Sequence, residues 1–598
     1  MLERTAHIPC RSGRAELWEV IADTERFNRE AQMPPMEIRA EASADGVARH
    51  VVKSHLGPFP AEWRERPFEW VEGRRYGVRR ELISGPIAWL EIDVTFDDRA
   101  EGGTDVTYAM RIEPRGGAVS LVLGPFLGAA LRQVENAIVR IDERMFAGAP
   151  PPIVDALKER PLAAAVKKLD ISDDAKKWVP ELVEVLRTAP DHAARRLRPY
   201  ALADAWGAPR RDVLELCLAS VVAGVLELTW NVVCPSCRIG SEQLTGLADL
   251  GEEGHCDLCD LSFGVELDRA VEAIFAPAPV VREVPEAQFC SGGPATMPHV
   301  LAQTVLDAHG EVRFVAPTEV KRHRLFARGG AVTSIDIADG APESVTVALA
   351  DAFEPGHIAV APGGTILVAE RAGSARHVKL ERLEWASAAA TAYDVGTIAT
   401  YRQQFSNDVL RPGASVRIGC ASLLFSDLSA STQLYTREGD AAAFRLVQDH
   451  FDLLSSAIGA HDGAVVKTIG DAVMAVFVDE LAAVRAAVAM LEAWPAFVEG
   501  RAEAEGVELK IGVYAGACYA VTANGVLDYF GQTVNIAARL QGQADKSEVV
   551  VAKELAERAQ GEADLGALSY SAPYPAELKG LDRAVEAVRV SVADQRKK

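Results

Sequence analysis

Two acidic residues follow short apolar runs and could together bind a metal ion. Asp427 ends one such run, and a turn containing Ser431 and Thr432 leads from it into helix-favouring sequence. Asp471 follows Gly470 at the predicted tip of a β-hairpin with two apolar strands. Carboxylates at adjacent strand ends suit Mg²⁺, which takes its other ligands from water and substrate phosphates. The pattern predicts a magnesium site beside a helix N-terminus that attracts phosphate.

A second pair of polar residues lies further along the chain. Asn535 and Arg539 are four residues apart on a predicted helix, so their side chains point the same way. An amide and a guanidinium placed in this way can bind a ribose and a phosphoryl group. With these residues in place, residues 419–590 resemble the catalytic domain of the class III nucleotidyl cyclases, and we predict such a domain at 419–598.

That resemblance implies a role for each of these residues. The metal ligands fall on Asp427, Leu428 and Asp471, which would hold two Mg²⁺ or Mn²⁺ ions in each active site. The transition-state pair falls on Asn535 and Arg539. Contacts to the triphosphate fall on Ser431, Thr432 and Lys579.

The base-reading pair of the family falls on Lys467 and Asp528. A lysine donor facing N1 and an aspartate acceptor facing the N6 amino group complement adenine, whereas guanine presents the opposite pattern. Guanylate-forming relatives usually carry Glu and a small polar residue at these positions. The resemblance therefore implies an adenylate cyclase that converts ATP to cyclic AMP. Gln532 and Ala472 replace residues frequent in the family, but neither position carries chemistry there.

The resemblance also implies a fold and an assembly. The domain should be a ferredoxin-like βαββαβ palm, with Phe444, Val447, Phe451, Leu454 and Ile458 packing one helix on the sheet. Two such domains would meet head to tail in a homodimer with two equivalent sites. One subunit would supply the two aspartates of the metal site, and its partner would supply the other four residues, which are Lys467, Asp528, Asn535 and Arg539.

Four cysteines form a second motif with a metal-binding pattern. They are arranged as two Cys-x-x-Cys pairs separated by 18 residues, namely Cys234, Cys237, Cys256 and Cys259. This spacing is typical of a zinc ribbon whose four thiolates close the coordination sphere, so the predicted role of Zn²⁺ is structural. A redox-active dithiol pair is the alternative.

The bulk composition describes a folded multidomain protein of the α+β class. The chain has 598 residues, 49% of them hydrophobic and 25% charged, which suggests roughly four domains. A formal charge of −22 argues against nucleic acid or an anionic membrane as a general partner. No secretion signal and no apolar stretch long enough to span a bilayer is evident, so we expect a cytoplasmic protein.

The N-terminal segment 1–148 reads as several strands closed by a long amphipathic helix. This order resembles the START-like, or helix-grip, superfamily. The resemblance implies a cavity that could bind a small apolar ligand, although a filled scaffold or a dimerisation module fits the pattern equally well.

The remaining segments lie between this domain and the cyclase-like part. We predict a helical, winged-helix-like region at 149–232, a zinc ribbon at 233–265, a β-rich domain at 266–395 and a connector at 396–418. Residues 199–207 and the cysteine pairs resemble a region found ahead of the cyclase domain in bacterial cyclases, which implies a regulatory role.

Two other functions remain open at this point. The cyclase-like part could be a degenerate domain that only binds nucleotide. Alternatively, ligand sensing or DNA binding by the N-terminal half could be the main output, with the winged-helix-like region contacting DNA. The presence of all six chemistry-bearing residues in order argues for a working cyclase.

Overall fold

The computed structural model describes residues 1–41, 47–56, 59–149, 157–285, 287–383, 389–429, 439–501, 504, 506–545, 547–578 and 584–592. Its elements fall into an N-terminal region, a central helical region, a β-rich region and a C-terminal region. The multidomain mixed α/β organisation expected from the sequence is confirmed.

The N-terminal region is a curved antiparallel sheet with one long helix across it. Its elements are β1 (Leu2–Cys10), α1 (Arg14–Ile21), α2 (Thr24–Glu30), β2 (Glu37–Glu41), β3 (Arg49–Leu56), β4 (Phe59–Glu65), β5 (Glu69–Val71), β6 (Arg75–Leu82), β7 (Ile87–Asp98), β8 (Thr104–Pro114) and α3 (Gly117–Phe146). Alternating buried and partly exposed residues along β7 place one face of the sheet against the core. Trp18, Tyr76 and Phe96 fill part of the interior, with the Trp18 and Phe96 rings 5.5 Å apart and edge to face.

The central region contains short helices followed by two small sheets. Its elements are α4 (Glu159–Val166), α5 (Asp173–Lys176), α6 (Val179–Thr188), α7 (Asp191–Ala194), α8 (Pro199–Trp206), α9 (Arg210–Ala223), β9 (Leu226–Val233), β10 (Gly240–Leu244), β11 (Glu253–Cys256), β12 (Leu261–Gly264) and β13 (Val271–Pro277). If the predicted winged-helix-like region were a true winged helix, α9 would be its recognition helix. More than half of its residues are buried, including Val213, Leu214 and Leu216 through Ser220.

The β-rich region consists of two sheets that share one core. Its strands are β14 (Val300–Leu306), β15 (Glu311–Val315), β16 (Arg322–Ala327), β17 (Ala331–Ile337), β18 (Ser344–Leu349), β19 (Phe353–Glu354), β20 (His357–Val360), β21 (Thr365–Glu370) and β22 (Arg376–Arg382). The first sheet has the order β14-β22-β16-β17-β20 and the second has the order β15-β21-β18-β19. Buried aliphatic and aromatic residues from both sheets form a single cluster between them.

One sheet runs through both the N-terminal and the β-rich regions. Strand β5 pairs with β6 on one side and with β14 on the other, where Val71 lies opposite Ala302 and Trp70 lies opposite Gln303. The Trp70 indole N–H also donates to the Val300 carbonyl at 2.9 Å. The two segments that the sequence suggests as separate domains are therefore joined edge to edge.

The C-terminal region begins with a connector, residues 392–414, which contains two short helices. Its elements are α10 (Ala392–Gly396), α11 (Ala399–Gln404), β23 (Ser415–Leu428), α12 (Asp440–Ala460), β24 (Gly463–Ile469), β25 (Ala472–Phe477), α13 (Glu480–Val498), β26 (Leu509–Ala523), β27 (Val526–Phe530), α14 (Gln532–Gln541), β28 (Glu548–Ala552), α15 (Lys553–Gln560), β29 (Ser569–Tyr570), β30 (Tyr574–Ala576) and β31 (Val585–Ser591). The strand order is β24-β25-β23-β26-β28-β31-β29, with β27 paired to β26 and β30 to β31. From β23 to β26 the elements follow the expected βαββαβ order.

The two faces of this C-terminal sheet pack against different partners. Leu424 and Leu428 of β23 face the core formed with α12, α13 and α15. Leu423 and Phe425, on the opposite face, join a second core with the connector and the central helices. The front part of the chain therefore covers part of the C-terminal sheet.

Phe444 was expected on the buried stripe of α12, but it is 60% exposed. The buried stripe instead starts at Ala443 and continues through Leu446 and Val447, so Phe444 lies one position outside it on the helix surface.

The helix α13 is the only one among the described residues long and apolar enough to cross a membrane, and half of it is buried inside the fold.

Candidate active site

The two acidic residues among the predicted metal ligands, Asp427 and Asp471, lie at neighbouring strand ends. Ser426 of β23 pairs with Val473 of β25, so Asp427 and Asp471 are one and two residues beyond this pair. Gly470 forms the hairpin turn with a positive φ of 65°, a conformation that costs glycine little. Asp471 follows it directly. The geometry brings both carboxylates to the same end of two neighbouring strands.

The electrostatics around these two carboxylates suit a cation. Burial and the negative charge of Asp471 together raise the pKa of Asp427. The Asp471 Oδ2 atom is buried and has no hydrogen-bond partner among the described residues. Two close carboxylates, one with an unpaired buried oxygen, are an unfavourable arrangement unless a positive ion joins them.

Two neighbours of Asp427 were missed by reasoning from sequence. Lys510 lies opposite Asp427 on β26, and Lys510 and the Gln541 side chain each lower the pKa of the Asp427 carboxyl. Both favour the ionised carboxylate, although their effect is smaller than that of burial. No local pattern could have revealed them, because each lies more than 80 residues away along the chain.

The other predicted contacts to metal and phosphate are less well defined. The Leu428 side chain is buried in the core, so only its backbone could face a metal ion. Its N–H lies near the Asp427 carboxylate and favours the ionised form. Ser431, Thr432 and Lys579 lie outside the described residues.

Lys467 and Asp528 form a direct ion pair. The Lys467 Nζ donates to Asp528 Oδ2 at 2.5 Å, although 61 residues separate them. The Asp528 side chain is 9% exposed and that of Lys467 is 36% exposed. The second oxygen, Oδ1, accepts from the Tyr529 N–H at 2.8 Å. The pair thus offers a fixed acceptor beside a more accessible donor.

Asn535 and Arg539 lie on one side of α14. Asn535 is exposed and Arg539 is partly buried, while the opposite side of the helix packs on the sheet. This packing requires Gly512 of β26, because a Cβ atom there would lie 2.2 Å from the Gln541 backbone nitrogen. The close approach fixes where the helix presents its amide and guanidinium.

The four cysteines converge on one point. Their sulfur atoms lie within 4.8 Å of one another and all four residues are buried. The Ser236 N–H donates to the Cys234 sulfur, and the Cys259 N–H donates to the Cys256 sulfur, each at 3.4 Å. N–H bonds to sulfur favour the thiolate form, which is the form that binds metal.

A buried cation accompanies the cysteine cluster. Lys379 is 1% exposed. Burial alone lowers its pKa, but the charges of Cys259, Cys237 and Glu381 outweigh burial, so the pKa of Lys379 is raised. A divalent ion with four thiolates would carry two net negative charges, and Lys379 would partly neutralise them. The donor set and its surroundings fit a metal such as Zn²⁺.

The C-terminal region matches a known domain family. Residues 414–581 match the family model of the adenylate and guanylate cyclase catalytic domain. Residues 163–292 match a family of unknown function, DUF5939. The C-terminal part of the chain thus carries a class III adenylate and guanylate cyclase catalytic domain. The predicted START-like and zinc-ribbon assignments stay predictions.

Three relatives match between 22% and 32% of this chain. The chain is 31% identical over 164 residues to an adenylate cyclase of Mycosarcoma maydis, covering 24% of this chain and 6% of that protein. It is 32% identical over 190 residues to the uncharacterized protein Rv2212 of Mycobacterium tuberculosis, covering 32% and 45%. It is 30% identical over 147 residues to guanylate cyclase 32E of Drosophila melanogaster, covering 22% and 12%. The chain therefore spans less than half the length of these relatives.

Among solved structures, the adenylyl cyclase CyaB from P. aeruginosa is similar, with 22% identity and a TM-score of 0.27. The match covers 30% of this chain and 98% of that one.

Proposed function

We propose that this chain is an adenylate cyclase, which converts ATP to 3′,5′-cyclic AMP and pyrophosphate. The observation that most supports ATP as substrate is the Lys467–Asp528 ion pair at 2.5 Å. An adenine edge could replace this bond with two others, accepting at N1 from the lysine and donating from N6 to the carboxylate. Guanine would face the lysine with its N1–H and the carboxylate with O6, so both contacts would be repulsive.

In this proposal Asp427 and Asp471 hold two Mg²⁺ or Mn²⁺ ions. Bound there, the ions would lower the pKa of the ribose 3′-hydroxyl and neutralise the triphosphate charge. The raised pKa of Asp427 and the unpaired Asp471 oxygen support this role.

The other residues position the substrate. Asn535 orients the ribose, and Arg539 stabilises the charge that develops on the α-phosphate. The 3′-oxygen forms a bond to the α-phosphorus as the bond to pyrophosphate breaks, and the hydroxyl proton leaves to solvent. Ser431, Thr432 and Lys579 would contact the triphosphate.

We further propose that the active sites form between two copies of this chain. Large apolar side chains beside the base-reading pair support such an interface, since Phe530 is 68% exposed and Val526 and Tyr519 are also exposed. Asp427 and Asp471 of one copy would face Lys467, Asp528, Asn535 and Arg539 of the other.

A mixing experiment tests both the reaction and the shared site. Asp427→Ala and Arg539→Ala should each lower cyclic AMP formation from ATP by about 10²-fold or more. Mixing the two variants should restore part of the activity, because one of the two sites in a mixed dimer is then intact.

Each outcome of this experiment has a meaning. Two folded variants that exchange subunits but show no recovery would contradict the shared site. A wild-type chain that binds ATP but makes no cyclic AMP with either Mg²⁺ or Mn²⁺ would be a degenerate, nucleotide-binding domain. Preference for GTP over ATP would contradict the assignment of Lys467 and Asp528.

The front part of the chain is proposed to be regulatory, with Zn²⁺ held by the four cysteines as a structural ion. The cover that it provides over the C-terminal sheet supports this role. A cytoplasmic location and a small apolar ligand of the N-terminal region complete the proposal.

A further inference from the structure

Arg402 of the connector makes a set of directed contacts to one strand of the cyclase domain. Its Nη1 donates to the Leu527 carbonyl at 3.0 Å, and its Nη2 donates to the Tyr529 hydroxyl at 2.9 Å. Its Nε donates to the Gly396 carbonyl at 2.6 Å, within the connector itself. The guanidinium also lies over the Tyr529 ring, 5.4 Å from its centroid. One side chain therefore ties the connector to β27.

Asp528, the proposed acceptor for the base, lies between the two points that Arg402 contacts. Among the described residues, β27 pairs only with β26, where Asp528 lies opposite Val521. A strand held by a ladder on one side has no backbone support on the other. Arg402 provides that second support, directly before and directly after Asp528.

A second residue of the connector, Tyr393 on α10, makes the attachment of the connector to the cyclase domain rigid. The Tyr393 hydroxyl donates to the Phe477 carbonyl at 2.7 Å and accepts from the Ser422 N–H at 3.1 Å. It thereby bridges β25 and β23. Its ring packs edge to face on Tyr529, with centroids 6.4 Å apart. Arg402 is thus fixed relative to the central strands as well as to β27.

From these contacts we propose that Arg402 is a positioning residue for base recognition. Its bonds to Leu527 and Tyr529 hold Asp528 in register with Lys467, so the connector sets how well the site discriminates adenine from guanine. This inference rests on the proposed adenylate cyclase function. It adds a residue outside the matched catalytic domain to the specificity of that site.

The test compares full-length Arg402→Ala with the wild type, using ATP and GTP as substrates. Loosening β27 weakens base contacts that are similar in the ground state and the transition state, so KM for ATP should rise about five- to tenfold with kcat changed less. The ratio of kcat/KM for ATP to that for GTP should fall by a similar factor. Arg402→Lys keeps the charge but not the forked geometry, and it should give only partial rescue.

Two further variants separate positioning from simple destabilisation. Tyr529→Phe removes only the hydroxyl that Arg402 contacts, and it should shift KM and the ATP preference in the same direction in a chain that still folds. Arg411→Ala changes an exposed arginine of the same connector and should leave both parameters unchanged.

The test separates failure of this inference from failure of the proposed function. If the wild type makes no cyclic AMP, the function itself is wrong. If the wild type is active but both Arg402→Ala and Tyr529→Phe lower kcat alone, with KM and ATP preference intact, Arg402 is merely structural and the inference is overturned.

Discussion

At the scale of single residues, the structure makes a prediction about Asp427 that separates stability from catalysis. Burial and the charge of Asp471 raise the pKa of Asp427, so its ionised form costs free energy in the metal-free fold. This cost is absent at acid pH, where the carboxyl is protonated, and appears as the pH rises through the raised pKa. Asp427→Asn should therefore be slightly more stable than wild type at neutral pH, by roughly 1 kcal/mol or less because the site is half exposed.

The same variant should lose catalysis. Turnover of ATP should fall about 10²-fold or more, and the rise in melting temperature that we expect Mg²⁺ to cause in the wild type should be lost. Thermal melts at pH 5 and pH 8, with and without Mg²⁺, measure both effects. Asp452→Asn, at an exposed carboxylate of α12, is the control. An unchanged response to Mg²⁺ in Asp427→Asn would show that this carboxylate does not bind the ion.

The sequence revealed candidate site residues only where a chemically active residue type also lies in a distinctive local pattern. Asp427 and Asp471 stand out because each is a charge after an apolar run. Gln541 and Arg402 carry no such signal, because their importance arises from contacts made across long stretches of chain. A glutamine or an arginine near a helix end is ordinary until the partner strand is known.

At the scale of elements, the packing of α14 on β26 decides where Asn535 and Arg539 lie. A Cβ atom at Gly512 would lie 2.2 Å from the Gln541 nitrogen and 2.6 Å from the Ala537 carbonyl oxygen, both of them backbone atoms. Gly512→Ala should push the helix away from the sheet. We expect a loss of about 1–3 kcal/mol in the free energy of unfolding and a loss of turnover beyond that explained by the unfolded fraction.

A second glycine provides a matched control. Gly459 lies near the end of α12, and a Cβ atom there would meet nothing within 4 Å. Gly459→Ala should stabilise the chain by about 0.5–1 kcal/mol and leave turnover unchanged. Denaturant unfolding followed by assays at a temperature where all three proteins are folded provides the comparison. If both variants behave alike, close packing at Gly512 does not position α14.

Periodicity predicted the elements of the palm but not every side chain on them. The strands around Asp427 and Asp471 and the helix around Asn535 lie where their apolar patterns placed them. Phe444 was wrongly assigned to the buried stripe. An apolar stripe more than one residue wide is compatible with two slightly different rotations of the helix about its axis. Only the position of the helix over the sheet selects one of them.

At the scale of the whole molecule, the organisation depends on pairings that local sequence does not encode. The ladder between β5 and β14 joins strands about 230 residues apart, and it uses backbone groups that any sequence offers. The number and kind of segments could be predicted from composition breaks and motifs. The continuity of the sheet across them could not, nor could the cover that the connector provides over the C-terminal sheet.

The cysteine cluster lies where the N-terminal, central and β-rich regions meet. The four cysteines share a hydrophobic cluster with residues of the N-terminal sheet. The β-rich region contacts both cysteine pairs, since Arg324 donates to the Ser236 carbonyl at 3.2 Å and the Gly329 N–H donates to the Cys259 carbonyl at 3.0 Å. Loss of the metal should therefore loosen the front of the molecule as a unit, because binding energy at such sites is also folding energy.

Cys234→Ser should accordingly lower the zinc content of the purified chain by about one ion and lower its melting temperature. Limited proteolysis should cut first between residues 226 and 382, while β23 to β31 stay protected because the C-terminal sheet has its own core on the face opposite the connector. Cys420→Ser, at an exposed cysteine outside the cluster, should change neither zinc content nor cleavage. Equal zinc content in the two variants would show that the cluster does not bind the ion. Early cleavage within the cyclase domain of Cys234→Ser would show that metal loss is not confined to the front of the molecule.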